Sequence, residues 1–434
     1  MKNKLIKIMS LGITTLALAA CGNDEGSAPN EITFWNPFVG PDRENMNAMI
    51  EEYNATDPEF TITNVSMEEG DMYTRIPTVV NSGSGIPDLN IVHAERIVQY
   101  KDTNMLLPLD EYISDFSELN ESNYIPEAWN IGDIEGERYS LPLDIHTFGL
   151  YYNPELVEQY GPEILDDDIV TYDEIREVSE RAVEDDISGI GITWVKPTFM
   201  SLLAQHGGEM SEDGQNPTLN TQASADSLQL LHDLYVDGLT NEEGTDPMQM
   251  FLNNELVFFP EGIWMQNTMR DSDFEYGLTN FPQISDNLTD TVNWASSHQF
   301  VMFNNDDRSE EKARGAVEFI DWLRDNSMEW AKAGQIPATL SLLEEEEYLN
   351  LPHSFFAETP EQADTLTIFD YKYNGYVSEY VDANVLDVIF GRLSPEEAAD
   401  EMQREVADKI EQDSTGLQAE TEAEPEGEES ETEE

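Results

Sequence analysis

An α/β fold built from parallel sheets is the class this chain predicts, and three observations predict it. Short apolar strand patterns alternate with helix-period patterns along most of the sequence, which is how strands joined through helices read. The 434 residues leave room for about two or three domains and a sizeable core. Hydrophobic residues make up 39 % and aromatic ones 10 %, more than a chain disordered throughout carries.

The first residues read as an address rather than as part of the fold. Lys2, Lys4 and Lys7 form a basic start, and Ile8 to Ala20 an apolar stretch ending in small residues, the order of a secretory signal. That stretch falls short of the roughly 20 apolar residues a spanning helix needs. Leu18-Ala19-Ala20-Cys21 then resembles a bacterial lipobox, where cleavage precedes a cysteine that receives a diacylglycerol thioether. Cys21 is the sole cysteine. Residues 1–20 are therefore expected to be a lipoprotein signal peptide and 21–29 a lipid-anchored tether, two acyl chains being enough for stable anchoring. A buried free thiol is the alternative. A single cysteine also excludes intramolecular disulfides and thiolate metal cages.

The mature part opens with a strand–loop–helix unit. EITFW runs apolar into Asn36 and Pro37, and Met46, Met49, Ile50 and Tyr53 follow at helical spacing. FTITNV is a second strand; SGSGIPD turns the chain into the strand LNIV. LYYN follows, then a helix opened by Thr171 and Glu174 in capping-box spacing, then the strand GIGITW. LVFF and FVMF are further strands, and a helix spans Glu310 to Arg324 with Ala313, Val317 and Ile320 on one face. The last helix begins Ser394-Pro395-Glu396-Glu397, with Ser as N-cap, Pro at the first position and Glu at the third. From about Gln412 the chain is acidic without apolar periodicity, so residues 413–434 read as a disordered tail.

Composition excludes some partners. With 21 Lys+Arg against 90 Asp+Glu the net charge is −69, and binding to nucleic acid or anionic lipid headgroups needs the opposite sign. Self-repulsion on that scale is relieved by salt, which points to salty or alkaline surroundings; a solvated surface inflated by its acidic tail is the plainer reading. The sequence lacks G-x-S-x-G, H-E-x-x-H, G-x-x-x-x-G-K-[ST] and G-x-G-x-x-G. Its six His are scattered, with no pair at metal-ligand spacing. No cofactor, no metal site and no catalytic residue are expected, and a binding role is favoured over an enzyme.

Five segments in order resemble one family, the extracellular solute-binding proteins, family 1, of ABC sugar importers, which includes the maltose-binding type. They are EITFWNPF, SGSGIPDLNIVHAERIVQYKDTNMLLPLDEYI, GERYSLPLDIHTFGLYYNPEL, FLNNELVFFPEGIWMQN and FGRLSPEEAADEMQREV. The sequence departs from the family pattern at LNNELVFFPEGIW, where a small Gly- or Lys-containing stretch is usual, and at ASSHQF, where a Gly pair is common. The resemblance implies a two-lobed periplasmic-binding-protein-like fold, each lobe a mostly parallel sheet flanked by helices, joined by crossing hinge strands. Mapped onto this chain, lobe one is 30–142 and 283–333, and lobe two 143–282 and 334–412. The ligand then lies in the interlobe cleft, with aromatic faces on the C–H face of a sugar ring and polar groups on its hydroxyls.

Several of the candidate ligand-binding residues have a plainer alternative. Asn36, Pro37 and Phe38 follow the first strand at its C-terminal end, where open sheets bind ligands, or they form an ordinary turn. Glu95 and Arg96 follow LNIV where the family places a polar contact, or they are a surface ion pair. Asp144 and His146 lie in the crossing LPLDIHTF, which borders the cleft. Trp264, after Gly262, resembles the family's stacking Trp; otherwise it is core. Trp194, with Phe199 downstream, His298 in ASSHQF, and Tyr371, Tyr373 and Tyr376 complete the set, the tyrosines alternatively being a packed loop.

The leading expectation is an exported substrate-binding lipoprotein, monomeric and held through Cys21 on the outer face of the membrane. It captures a carbohydrate and passes it to ABC permease subunits. A receptor of the same fold for a polyamine or other cation is one alternative, and a cell-surface glycoside hydrolase another.

Overall fold

A computed structural model describes residues 30–421 apart from 166–168, 273, 288–290 and 370. The expected signal peptide, the expected tether with Cys21, and the end of the acidic tail lie outside the described residues. The described chain is built around two sheets of mixed direction. The first has five strands in the order Thr61–Ser66, Glu31–Asn36, Leu89–His93, His298–Val301, Leu141–Pro142. Glu31–Asn36 pairs in parallel with both neighbours, whereas His298–Val301 runs antiparallel to the strands on either side of it. Ile32 and Phe34 point into the core, and the helix Gly40–Ala55 buries Met46, Met49, Ile50 and Tyr53. Those are the residues its spacing selects.

The second sheet is organised by one long strand, Asp144–Tyr152, of which all but the last residue is buried. Leu256–Gly262, Asn293–Ser296, Gly277–Asn280 and Ile336–Pro337 all pair with it antiparallel. Parallel pairing is confined to the outer strands Leu366–Ile368 and Ser188–Ile190. The expected mostly parallel sheets are thus corrected to mixed ones. Asn293–Ser296 runs antiparallel because it carries the chain back toward the first sheet beside the strand that brought it out.

The chain leaves the first sheet between Pro142 and Asp144 and re-enters it between Ser296 and His298. The pairing places the return to the first sheet at 296–298, whereas the expected boundary stands at 283. Asn293–Ser296 belongs to the second sheet. Ile336, Tyr348, Phe356 and Ala357 share one core with Phe34 and Trp330, and that core also takes in Ile145 and Ala295 of the second sheet. A hydrophobic face must be covered wherever it lies, and sequence order does not say which core will cover it.

Both sequence-read caps are present. Glu174 N donates to Thr171 Oγ1 at 3.2 Å and Thr171 N to Glu174 Oε2 at 2.8 Å; Ser394 and Glu397 exchange the same pair at 3.3 and 3.1 Å. The final helix, Pro395–Thr421, extends past the expected boundary at 412, anchored in the second core by Ala398, Ala399, Met402 and Val406. The expected strand GIGITW shortens to Ser188–Ile190, after which the backbone turns sharply at Trp194, φ 25°. Among the described residues no helix is long and apolar enough to cross a membrane.

Candidate functional site

Where the two crossings run side by side, a cavity of about 240 Å³ opens between the lobes. The first lobe supplies Phe38, Asp42, Glu69, His93 and Glu95 to its wall; the second supplies Phe148, Trp194, Lys196, Trp264 and Trp294. His146 and His298 reach it from the crossings themselves.

The second-lobe side is a wall of rings. Leu256–Gly262 ends in a glycine followed by a short turn, Ile263–Met265, which swings Trp264 across its own strand end. A Cβ on Gly262 would sit 2.2 Å from the Trp264 ring, so only glycine permits this placement. Trp264 meets Phe148 edge-on at 5.3 Å and Trp194 at 5.9 Å, and Trp294 meets Phe148 at 5.5 Å. Trp194 is 54 % exposed, and its positive φ is unfavourable for a bulky side chain. An exposed indole on unfavourable backbone at a cavity is the kind of outlier that collects at functional sites.

The crossing side is polar and buried. Asp144 is fully buried and accepts four hydrogen bonds. His298 N at 3.0 Å and His146 Nδ1 at 3.2 Å donate to Oδ1, while His298 Nδ1 at 2.7 Å and Trp330 Nε1 at 2.6 Å donate to Oδ2. Burial opposes ionisation of Asp144, but the imidazoles of His298 and His146 outweigh it and hold the carboxyl well below the usual range. Burial lowers His298 to about 4 against the pull of Asp144, so at neutral pH it is an uncharged imidazole donating through Nδ1. Asp42, on the cavity wall, is pushed up to about 7 by burial and then by the charge of Asp144. Glu95 stays ionised, at about 2, because His93, Lys196 and its own backbone outweigh desolvation. It also accepts from Ser296 Oγ at 3.1 Å.

Of the residues singled out in the sequence, Pro37, Phe38, Glu95, His146, Trp194, Trp264 and His298 come together on this wall. Asn36 does not. Its side chain is buried, accepting from Phe38 N and Ser66 Oγ and donating to Asn64, so it shapes the turn. Asp144 lies behind the wall. Arg96 sits over the Tyr73 ring at 4.6 Å. Phe199 and Tyr371 pack in the second core, and Tyr373 and Tyr376 stack on each other at 5.7 Å, away from the cavity lining. Tyr376 instead meets Gln99 of the first lobe at 3.5 Å.

Sequence reasoning missed Asp42, Glu69, His93, Phe148, Lys196 and Trp294. His93 ends the strand LNIVH, so the strand-end rule that selects Glu95 would have found it. The scattered histidines also prove less scattered than their spacing implies: His93, His146 and His298 converge.

A family model for bacterial extracellular solute-binding proteins matches residues 48–357. A maltotriose-binding protein of Pyrococcus abyssi is 24 % identical over 270 residues, 61 % of this chain and 55 % of that protein. An arabinooligosaccharide-binding protein of Halalkalibacterium halodurans is 26 % identical over 219 residues, 49 % of this chain and 47 % of that one. The matches thus span about half the length of these curated relatives. Among solved structures, an ABC substrate-binding protein from Listeria monocytogenes in complex with cycloalternan superposes with a TM-score of 0.75 at 18 % identity, covering 88 % of this chain and 98 % of that one. The maltose/maltodextrin-binding domain of Bdellovibrio bacteriovorus bound to maltotriose gives 0.72 at 19 %, covering 88 % and 100 %. These likenesses establish the two-lobed fold.

Proposed function

Because this chain belongs to the bacterial extracellular solute-binding protein family, we propose that it captures a sugar or short oligosaccharide between its lobes and delivers it to the permease of an ABC importer. The observation that carries this reading is the interlobe cavity itself, aromatic on one side and hydrogen-bonding on the other. Rings offer flat apolar faces to sugar C–H groups, and carboxylates and imidazoles suit hydroxyls. The oligosaccharides named for two relatives and two structural neighbours support the same class. A polycation is the second reading, drawn by Glu69 and Glu95 in the wall and opposed by Lys196. The site is a binding site, and turnover is not part of this reading.

The test is a thermal-shift panel of sugars, polyamines and metal ions, because a ligand that prefers the native state raises its stability by mass action. A sugar should shift the melt. Trp264→Ala should then weaken that sugar by about 2 kcal/mol or more, about a 30-fold rise in Kd. A shift with polyamines alone, or release of hydrolysed product, would overturn the reading. Export and anchoring through Cys21 belong to the same proposal: Cys21→Ala should release the protein from membranes, and equal retention of variant and wild type would remove the anchor.

A further inference from the structure

Three imidazoles from distant positions meet at the crossing, and strand register explains how. His298 lies opposite His93 in one antiparallel pair, and His146 lies opposite Ser296, two residues before His298, in another. The ring centroids are 4.4 Å apart for His146 and His298, 4.8 Å for His93 and His298, and 5.7 Å for His93 and His146. One ring nitrogen of each lies within 4.8 Å of those of the other two, the sole such group among the described residues. All three line the cavity.

We propose that His93, His146 and His298 form a binding site for one divalent transition-metal ion of the zinc class, with a coordination position open to the cavity. The partners behind the rings carry the argument. Asp144 takes Nδ1–H of both His146 and His298, which leaves Nε2 of each as a bare acceptor. Tyr73 Oη lies 2.5 Å from His93 Nδ1 and also accepts the His93 backbone N–H at 2.9 Å. A carboxylate or hydroxyl fixing the far nitrogen of each imidazole is the arrangement that orients histidine ligands and raises their basicity. Each ring brings one nitrogen to within 4.8 Å of the other two, and a cation between them would turn that gathering into bonding.

The donor set selects the ion. Imidazole without thiolate suits Zn²⁺, Co²⁺, Ni²⁺ or Cu²⁺, whereas Mg²⁺ and Ca²⁺ prefer oxygen. Metal–nitrogen bonds of about 2.0–2.1 Å in a tetrahedral site place ligand nitrogens about 3.4 Å apart, so the rings must draw in from their present spacing. His93 and His298 stand on the first sheet and His146 on the strand entering the second, so the ion would clamp the lobes where they hinge. This site does not rest on the sugar reading.

The experiment is a Zn²⁺ titration of the untagged mature protein against a chromophoric chelator, in molar NaCl with Mg²⁺ in excess to occupy surface carboxylates, followed by the visible spectrum with Co²⁺. One Zn²⁺ per chain should remain bound despite Mg²⁺, and Co²⁺ should show the d–d bands of nitrogen ligation. His93→Gln, the least buried of the three changes, should weaken Zn²⁺ by more than the roughly 10–100-fold that outer partners contribute and abolish the bands. His206→Gln, remote from the site, should change neither. Zn²⁺ that Mg²⁺ displaces, or binding indifferent to His93→Gln in a protein that melts normally, would overturn the proposal.

Discussion

Two buried carboxylates near the cavity titrate in opposite directions. Asp144, behind the imidazole side, is held well below the usual range, and Glu261, beside the aromatic wall, is pushed up to about 7. Burial opposes charge on both. Asp144 meets four donors, two of them imidazole N–H groups, one an indole and one a backbone amide. Glu261 meets two, the Gly262 amide at 2.9 Å and the Trp194 side chain, and these offset only part of its desolvation. The imidazole charges beside the acid and the donors it meets, not depth alone, decide which one keeps its charge. One side of the cavity is therefore a satisfied, rigid network, and the other is a stack of rings over an acid poised near neutrality.

The largest effect should come from breaking the satisfied side. Asp144→Ala leaves two imidazole N–H groups, an indole N–H and an amide without an acceptor in a dry place, at a cost of roughly 3–5 kcal/mol of stability. Denaturant melts would show it as a lower midpoint, and Glu261→Ala should cost clearly less. Equal losses at the two positions would mean that the donor network adds nothing beyond packing.

Much of this contrast was unreadable in the sequence, and the reason is register. The strands, both capping boxes and the Gly262–Trp264 turn follow from local pattern, which one segment carries by itself. Asp144 and His146 were legible because a crossing must border the cleft. Their partner His298 was selected separately, and nothing in the spacing of 93, 146 and 298 signals that they meet; that follows from which strands pair and with what offset. Tyr373 and Tyr376 illustrate the other limit: they stack on each other apart from the cavity lining, and aromatic spacing looks alike in a cleft and in a packed segment.

A smaller effect tests the poised side. Glu261 has a folded pKa of about 7 against an ordinary value of 4.5, so the folded state holds the extra proton. Stability is then fully present below about pH 4.5, falls as pH rises through the window, and stays low above pH 7. Glu261→Gln keeps the acceptor for Gly262 but cannot ionise. The variant should match wild type near pH 4 and exceed it above pH 7 by at most about 3 kcal/mol, read from melts across that range. A pH-independent difference would show that Glu261 ionises freely in the folded protein, and the contrast with Asp144 would be lost.

The smallest expected effect concerns the donor above Glu261. Trp194 holds φ 25° and ψ 60°, a region that costs a residue with a Cβ about 1–2 kcal/mol. Comparing Trp194→Ala with Trp194→Gly isolates that strain, because both variants lose the ring, its packing on Phe148 and Trp264, and its hydrogen bond to Glu261. At an ordinary position glycine is the less stable of the two by about 0.5–1 kcal/mol, through the entropy of the unfolded chain. Here the order should reverse, with Trp194→Gly more stable than Trp194→Ala by up to about 1 kcal/mol. Both variants should also move the Glu261 window upward, since one of its two donors is gone. Alanine equal to or better than glycine in urea melts would mean that the backbone at Trp194 is relaxed. The indole would then be held at the cavity by its neighbours alone, and the aromatic side would store no strain for a ligand to use.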